Sequence, residues 1–258
     1  MLDISQIESF YPDYLRPFKK NILREYVQYK ILNLIFQSKF GNSLVFMGGT
    51  AIHILYGNTR FSEDLDFDSF GLKQSQFKAL FDFILKGLER EGYAVDGKVV
   101  FKNACSMYVR LQHVLYDYNI SRHKQEILLI KIDSEPQNFQ YTPHKDIINK
   151  FDFFFRVNTV PVDILLAQKI YAIFNRKRGV GRDFYDAIFL FGITKPNLRY
   201  LEEKMKIKSE KELKYELLNF CKGIDFEQMS KDVEQFIFKP EDSKKILLFS
   251  EYVETMKI

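Results

Sequence analysis

The sequence predicts an α+β fold, in which a mixed β-sheet with helices is followed by a helical C-terminal domain. Strand-like segments lie on both sides of an amphipathic helix in the first part of the chain, whereas the apolar spacing from Pro161 onward is helical. With 258 residues, of which 46% are hydrophobic, the chain can bury the core of one large domain or two smaller ones. We place the domain boundary so that the domains cover residues 1–157 and 158–258.

Each element is predicted from the spacing of its apolar residues. Helical spacing over residues 5–38 predicts that the chain begins with helices. The elements predicted next are a strand at 45–47, a helix from Ala51, a strand at 64–67, a helix at 76–91, and strands at 95–101, 106–114 and 126–133. A polar stretch with prolines runs to Pro143 as a connector, and residues 144–160 form either a hairpin or a bridge between domains. Pro161 suits the first turn of the helix that follows.

The junction between the first strand and the next helix carries Gly48, Gly49 and Thr50. A strand that ends in a glycine turn at a helix start presents backbone N–H groups and a hydroxyl at the positive end of the helix dipole. Phosphate oxygens bind well at such a position. We therefore predict that these three residues bind the phosphates of a nucleotide.

A pair of carboxylates, Asp64 and Asp66, follows the helix. Alternate residues of a strand share a face, so these two side chains point the same way, while Leu65 and Phe67 point into the core. Parallel carboxylates repel each other, but they are stable beside a divalent cation, and hard cations prefer oxygen ligands together with substrate phosphates. The pattern predicts a magnesium (or manganese) site.

Each of these features alone has an ordinary structural explanation. Two glycines before a helix are usually a tight turn only, and an Asp-x-Asp pair is often a solvated strand edge. Here strand, turn, helix, Arg60 and in-phase acids follow one another between Val45 and Phe67. This order favours an enzyme that transfers a nucleotide.

A third carboxylate, Asp133, emerges at the end of the strand at 126–133, on the same face as Lys131. It could complete the metal coordination or take the proton from an attacking hydroxyl. Glu135 is the alternative residue for this role.

The composition excludes several other classes of protein. Cys105 and Cys221 lie far apart without metal-type spacing, which predicts reduced thiols and a cytoplasmic protein. The four histidines form no pair at ligand spacing, so no zinc site is expected, and the P-loop pattern is absent. No apolar stretch reaches the roughly 20 residues that a membrane span needs, so no membrane partner is expected. The N-terminus carries Asp3, Glu8 and Asp13 and lacks the apolar segment of a secretory signal, so export is not expected either.

The motif that runs from Gly48-Gly49-Thr50 to Asp64-Leu65-Asp66 resembles the first motif of the AbiEii/AbiGii-type nucleotidyltransferase toxins. These toxins are a branch of the DNA polymerase β nucleotidyltransferase superfamily. The family's later motifs are an acid at a strand end, a lysine-x-x-alanine helix and an arginine-aspartate-x-x-aspartate segment. In this sequence, Asp133 resembles the first of these motifs. Lys169 with Ala172 resembles the second, and Arg182-Asp183 with Asp186 resembles the third.

The resemblance implies a nucleotidyltransferase-like sheet and a magnesium-dependent transfer of a nucleoside monophosphate from a nucleoside triphosphate. Asp64, Asp66, Asp133, Lys169 and Asp186 would be catalytic, with the first three holding the metal. The nucleotide would be bound by Gly48, Gly49, Thr50, Arg60, Lys169, Arg182 and Asp183. The acceptor would be a hydroxyl of RNA, for which a tRNA 3′ end is a candidate, or of a protein. The resemblance further implies the toxin of a toxin–antitoxin or phage-defence pair, with an antitoxin as partner.

Alternatives remain open for these C-terminal residues and for the function. A lysine such as Lys169 is ordinarily solvated, and Asp183 could equally cap a helix or hold Arg182 or Lys169 in place. The protein could also be a phosphotransferase or a nucleotide-binding regulator on the same fold, or an interaction module whose acids serve only folding.

The net charge of +4 is too small to indicate nucleic-acid binding by itself. Positive charge is nevertheless concentrated near a glycine turn, in Arg176, Lys177, Arg178 and Arg182. This basic cluster is either a solvated loop or a contact for an RNA backbone.

Overall fold

The fold, taken from a computed structural model that describes residues 2–102, 104–176 and 179–256, confirms the predicted class: a mixed sheet with helices. The chain forms two compact units. The first consists of Met1–Ala51 and Phe61–Thr159, and the second consists of Ile52–Arg60 and Val160–Ile258. The segment Ile52–Arg60 thus belongs to the second unit, although its place in the sequence had suggested the first domain.

The first unit is built on a sheet of seven strands among the described residues, in the order β3-β4-β5-β2-β1-β7-β6. The strands are β1 Leu44–Met47, β2 Leu65–Ser69, β3 Ala94–Phe101, β4 Cys105–Gln112, β5 Leu128–Glu135, β6 His144–Lys150 and β7 Phe153–Thr159. The pairs β1–β7 and β2–β5 are parallel, and the other neighbours are antiparallel. Residues 144–159 therefore form a hairpin of this sheet rather than a bridge.

The helices up to the end of the sheet region include two long ones that cover the sheet. The α-helices here are α1 Ile4–Glu8, α2 Lys19–Gln37, α3 Gly48–Tyr56, α4 Gln74–Arg90 and α5 Val114–Asp117, with short 3₁₀ turns at Asp13–Leu15 and Gly41–Ser43. Helices α2 and α4 pack on one face of the sheet. Phe36 of α2 contacts Phe67 of β2, with 6.2 Å between the ring centroids. Leu65 and Phe67 are buried on this face because alternate residues of β2 point to opposite sides.

The second unit is helical after Thr159, as the apolar spacing predicts. Its elements are α6 Val162–Asn175, α7 Gly181–Phe191, α8 Leu198–Met205, α9 Glu210–Cys221, α10 Phe226–Glu234, a 3₁₀ segment Pro240–Leu248 and α11 Phe249–Thr255. Asn197, Ser209 and Asp225 cap the starts of α8, α9 and α10 by accepting a backbone N–H bond from the first turn. Among the helices of the described ranges, none combines the length and apolarity needed to cross a membrane.

Candidate functional site

Strand β1 runs directly into helix α3, and the glycines form the first turn of that helix. The predicted helix starts at Ala51, but the observed one starts at Gly48. Gly48 has a φ of 78°. A Cβ atom at this position would lie 2.8 Å from the Cβ of Asp66. Glycine is required because it alone tolerates both the positive φ and the close approach. The first turn also contains Gly49 and Thr50, and N–H groups of a first turn lack partners within their helix.

The hydroxyl of Thr50 contacts the backbone next to strand β2. The side chain is fully buried, and its Oγ1 donates a hydrogen bond to the backbone carbonyl of Asp64. This bond ties the start of α3 to the residue that precedes β2. The expected contact between the hydroxyl and a phosphate is therefore replaced by a contact that fixes Asp64. Phosphate binding through the backbone N–H of Thr50 stays a prediction.

Replacing Gly48 by alanine tests this junction. We expect the Gly48→Ala variant to lose more than about 1 kcal/mol of unfolding free energy, because the new methyl group meets Asp66 on a backbone with positive φ. Urea denaturation measures the loss. Gly71→Ala is the matched control, since Gly71 has a φ of 72° and a Cβ there meets no atom within 4 Å. Equal losses in the two variants would show that contact with Asp66 imposes no requirement at position 48.

Two of the predicted acids lie on the face of the sheet opposite to α2 and α4. Leu65 and Phe67 point to the covered face, so Asp66 points to the other, and Asp64 directly precedes the strand. The parallel register of β2 and β5 places Asp133 directly beside Asp66. Asp66 and Asp133 therefore share one face of the sheet within the first unit, and Asp64, just before β2, acts electrostatically on Lys131 of that face.

Asp133 is held by one side chain from the neighbouring strand β4 and one from its own strand, β5. Ser106 on β4 is in register with it and donates a hydrogen bond from Oγ to Asp133 Oδ1 at 2.6 Å. The Nζ of Lys131, two residues earlier on the same face of β5, lies 2.6 Å from Asp133 Oδ2. Each carboxylate oxygen thus has one partner and retains a second lone pair that can accept a proton.

Lys131 brings a positive charge to the acid group. Burial disfavours its charged form, but the hydrogen bond to Asp133 and the attraction of Asp133, Tyr108 and Asp64 outweigh burial and raise the pKa of Lys131. Lys131 is predicted to share a face with Asp133, but no role was predicted for it. The two-residue spacing on a strand was the signal that a lysine and an acid would pair.

The donor set suits a magnesium ion that is bound together with a substrate. Among the residues that the structure describes, no three His, Cys, Asp or Glu side chains are grouped so that they could hold a metal ion by themselves. Magnesium commonly uses only one or two carboxylates, and phosphate oxygens and water complete its shell. Asp64 and Asp66 remain the predicted pair for such an ion, and Asp133 is bound to Lys131 and Ser106.

The second unit contains a buried charge network centred on Asp186, which is 0% exposed. Arg60 binds this carboxylate through two parallel bonds, Nε to Oδ1 and Nη2 to Oδ2, each of 2.6 Å. Asn58 Nδ2 donates to Oδ1 at 2.7 Å, and Lys169 Nζ lies 2.8 Å from Oδ2. The four acceptor positions of the carboxylate are therefore all used by protein groups.

Opposite charges keep the members of this network ionised. Burial favours neutral Asp186, but the charges of Arg60 and Lys169 outweigh burial and lower its pKa. Burial likewise opposes the charge of Lys169, but Asp186 and Asp183 outweigh it and raise the pKa of the lysine. The pKa of Arg60 is raised for the same reason, with Asp186 as the main partner.

The remaining predicted residues surround this network. Asp183 accepts from Lys169 Nζ at 3.0 Å, and the Nε of Arg176 lies 2.8 Å from its other oxygen. The guanidinium of Arg182 lies over the ring of Phe236, 4.6 Å from the centroid. Lys177 and Arg178, which the sequence analysis included in the basic cluster, lie outside the described residues.

The structure thus brings the predicted residues together as two groups. Gly48, Gly49, Thr50, Asp64, Asp66 and Asp133 belong to the first unit, and Arg60, Lys169, Arg182, Asp183 and Asp186 belong to the second. Lys169 is paired rather than solvated, and Asp183 is its ion-pair partner, which was one of the alternatives left open. Arg60 is 2% exposed and bound to Asp186, where a contact with nucleotide was expected. Roles of this second group in catalysis or nucleotide binding stay predictions.

Comparison with protein families gives one match that covers most of the chain. The model of the family described as nucleotidyl transferase AbiEii toxin, type IV toxin–antitoxin system, matches residues 30–250. No curated protein matches the sequence at a significant level.

Solved structures support the same fold. The protein JHP933 from Helicobacter pylori is 16% identical, with a TM-score of 0.55, and the match covers 91% of each chain. A protein from H. pylori that was provisionally described as a nucleotidyltransferase is 17% identical, with a TM-score of 0.56. That match covers 93% of this chain and 98% of the other. At these identities the similarity establishes the fold alone.

Proposed function

We propose that this chain, which belongs to the AbiEii nucleotidyltransferase toxin family, transfers a nucleoside monophosphate from a nucleoside triphosphate to a hydroxyl of RNA. A tRNA 3′ end is our first candidate, and a protein hydroxyl is the other acceptor to be tested. Membership of this family makes the chain a nucleotidyltransferase of the toxin class. The observation that best supports the proposed chemistry is the placement of Asp66 beside Asp133, on the face of the sheet that α2 and α4 leave uncovered.

The nucleotide is bound at the start of α3 in this proposal. The backbone N–H groups of Gly48, Gly49 and Thr50 donate to phosphate oxygens, and the helix dipole favours the negative charge of the phosphates. Asp64 and Asp66 would hold magnesium or manganese together with those oxygens. The bound ion would supply Lewis-acid stabilisation of the charge that develops on the phosphates.

Asp133 then acts as the base. The acceptor oxygen attacks the α-phosphorus in line, the bond from that phosphorus to the bridging oxygen breaks, and pyrophosphate leaves with its electron pair. The proton of the acceptor hydroxyl passes to a free lone pair of Asp133. Ser106 and Lys131 are positioning residues, because their bonds fix the orientation of the carboxylate and stabilise its charge.

We assign the buried network of the second unit a positioning role. Asp186 has no acceptor position left for a substrate, and Arg60 is shielded from solvent. Lys169 has three N–H donors, of which Asp183 and Asp186 take two. A phosphate contact through the third N–H of Lys169 remains part of the proposal.

Labelled nucleotides test the function directly. The purified protein is incubated with magnesium and each nucleoside triphosphate in turn, carrying a label on either the α- or the γ-phosphate, together with total cellular RNA. Nucleotidyl transfer predicts that the α-label appears on RNA and that pyrophosphate is released. Transfer of the γ-label would instead indicate a phosphotransferase, and α-label on protein would identify a protein acceptor. No transfer of either label would favour the nucleotide-binding regulator.

Membership of a toxin–antitoxin family also suggests an antitoxin partner, whose coexpression should suppress toxicity.

Removing the hydroxyl of Ser106 tests the orientation of the base. We expect Ser106→Ala to lower kcat about tenfold without changing triphosphate affinity, because a hydrogen bond to a charged group is lost from Asp133. Steady-state kinetics and calorimetry measure the two effects. Ser134→Ala is the matched control, since Ser134 is buried and its hydroxyl has no hydrogen-bond partner within the described ranges. A similar decrease in both variants would refute the positioning role of Ser106.

A further inference from the structure

The hairpin of β6 and β7 has a face that is open to solvent. Its exposed members are Lys145, Ile147 and Asn149 on β6, and Phe154 and Arg156 on β7, which alternate with buried or half-buried residues of the same strands. Phe154 is 74% exposed, the highest value among the large hydrophobic residues that the structure describes, and Ile147 is 56% exposed. The register places Asn149 opposite Phe154 and Ile147 opposite Arg156. The two apolar side chains are therefore diagonal neighbours, in reach of one ligand.

The charges on this face are positive and unpaired. Within the described part of the chain, the side chains of Lys145 and Arg156 form no ion pair or hydrogen bond. The nearest acid along β6, Asp146, points to the opposite face and accepts a bond from Thr159. By contrast, Lys150 on that opposite face is paired with Glu25. From the turn outward, the face therefore presents Phe154, then Arg156 and then Lys145, and neither cation has a counter-charge among the described residues.

A second copy of the chain does not fit this face well. Strand β6 is an edge strand, and lysines on an edge strand oppose pairing with another strand. Two copies meeting face to face would also place Lys145 and Arg156 near like charges. A single-stranded nucleic acid fits both features, because bases stack on exposed aromatic rings and phosphates neutralise adjacent cations.

We propose that this hairpin face binds a single-stranded segment of the RNA acceptor, with one base stacked on Phe154 and phosphates at Arg156 and Lys145. That this RNA is the acceptor rests on the proposed function; the binding itself does not.

The hairpin face and the acids lie on the same side of the sheet. Phe46 of β1 is in register with both Thr159 of β7 and Phe67 of β2, so these residues share the covered face. Phe154 and Asp66 are odd numbers of residues away from Thr159 and Phe67, and both therefore lie on the opposite face. Phe154 lies five positions before Thr159, which corresponds to roughly 17 Å along the strand. The stacked base thus belongs to a nucleotide some distance from the reacting hydroxyl.

The absence of tryptophan from the chain gives a direct test. Phe154→Trp introduces a single fluorescent reporter at the proposed stacking position. Titration with a single-stranded U-rich oligoribonucleotide, without triphosphate or metal, should quench this fluorescence. Tyr215→Trp is the control, because Tyr215 is 64% exposed on α9 in the second unit and should not respond. Equal quenching in both variants, or none in Phe154→Trp, would overturn the proposal.

Affinity measurements give an independent readout. Phe154→Ala should weaken RNA binding by about 5- to 150-fold, the fold-change that corresponds to the loss of one stacked base. Arg156→Ala should lower the slope of log affinity against log salt by about 0.7. Because both side chains are exposed, circular dichroism should show an unchanged fold. An unchanged affinity in Phe154→Ala would refute the stacking contact.

The outcomes separate this proposal from the proposed function. RNA quenching in a protein that transfers no nucleotide would contradict the function and leave the binding face intact. Efficient transfer without quenching would contradict the binding face alone. A change in Phe154→Trp fluorescence with protein concentration, in the absence of RNA, would identify a self-association surface and overturn the proposal.

Discussion

Asp66→Asn is expected to reduce nucleotidyl transfer at least about a hundredfold, the scale for removal of a key electrostatic stabiliser. Asp66 is on β2, which lies between β1 and β5, and it is in register with Met47 of β1 and Asp133 of β5. Asparagine keeps the shape that packs against Gly48, so the fold should be retained. The substitution would remove the charge that we propose binds the metal, and with it the stabilisation of the transition state.

The measurements separate metal binding from folding. Release of pyrophosphate gives the rate, and calorimetry of the variant with magnesium and triphosphate should show weaker metal-dependent binding. The unfolding free energy should be unchanged or higher, because one of two neighbouring carboxylates has been neutralised. Glu135→Gln is the control: this acid is exposed on the same face of β5 but lies beside Asp68 rather than Asp66. Wild-type turnover in Asp66→Asn would remove Asp66 from the site, and a large loss in Glu135→Gln would make Glu135 the third acid.

The features that the sequence predicted well are local. The apolar run of β1, the following glycines and the alternation around Asp66 depend on residues within a few positions of one another, and periodicity reports such contacts directly. The start of α3 was misplaced because a glycine pair usually indicates a turn. The structure instead includes both glycines in the helix, since Gly48 must lie against Asp66.

The features that the sequence did not predict depend on distant contacts. Arg60 and its partner Asp186 are 126 residues apart, so no local pattern reveals that the two side chains neutralise each other. The same distance explains why Ile52–Arg60 was assigned to the first domain, although it packs with the second unit. The hairpin of β6 and β7 was left open as a bridge because only the pairing of β7 with β1, which is long-range in sequence, shows that it completes the sheet.

Asp186→Asn is expected to destabilise the second unit by about 3–5 kcal/mol, the usual cost of breaking a buried ion pair by removing one partner. The two oxygens of Asp186 accept bonds from Asn58, Arg60 and Lys169, and whichever oxygen the amide nitrogen replaces, it meets two N–H donors. Two buried cations would then lack their main counter-charge, since Asp183 contacts Lys169 but is only a secondary partner of Arg60.

Urea denaturation followed by circular dichroism would measure the effect, with Lys195→Ala as the control. That variant breaks the Lys195–Glu210 pair, in which the lysine side chain is 73% exposed, and exposed pairs contribute little to stability.

The pH dependence of the stability has a definite sign. The pKa of Asp186 is lowered, so its stabilising contribution is present above the ordinary aspartate pKa of about 3.9 and is lost as the pH falls through the native pKa. The wild type should therefore lose stability more steeply than Asp186→Asn in acid. If the variant instead keeps its unfolding free energy and loses only transfer activity, Asp186 acts in the chemistry, as the family motif implies. The buried network would then not be what stabilises the second unit.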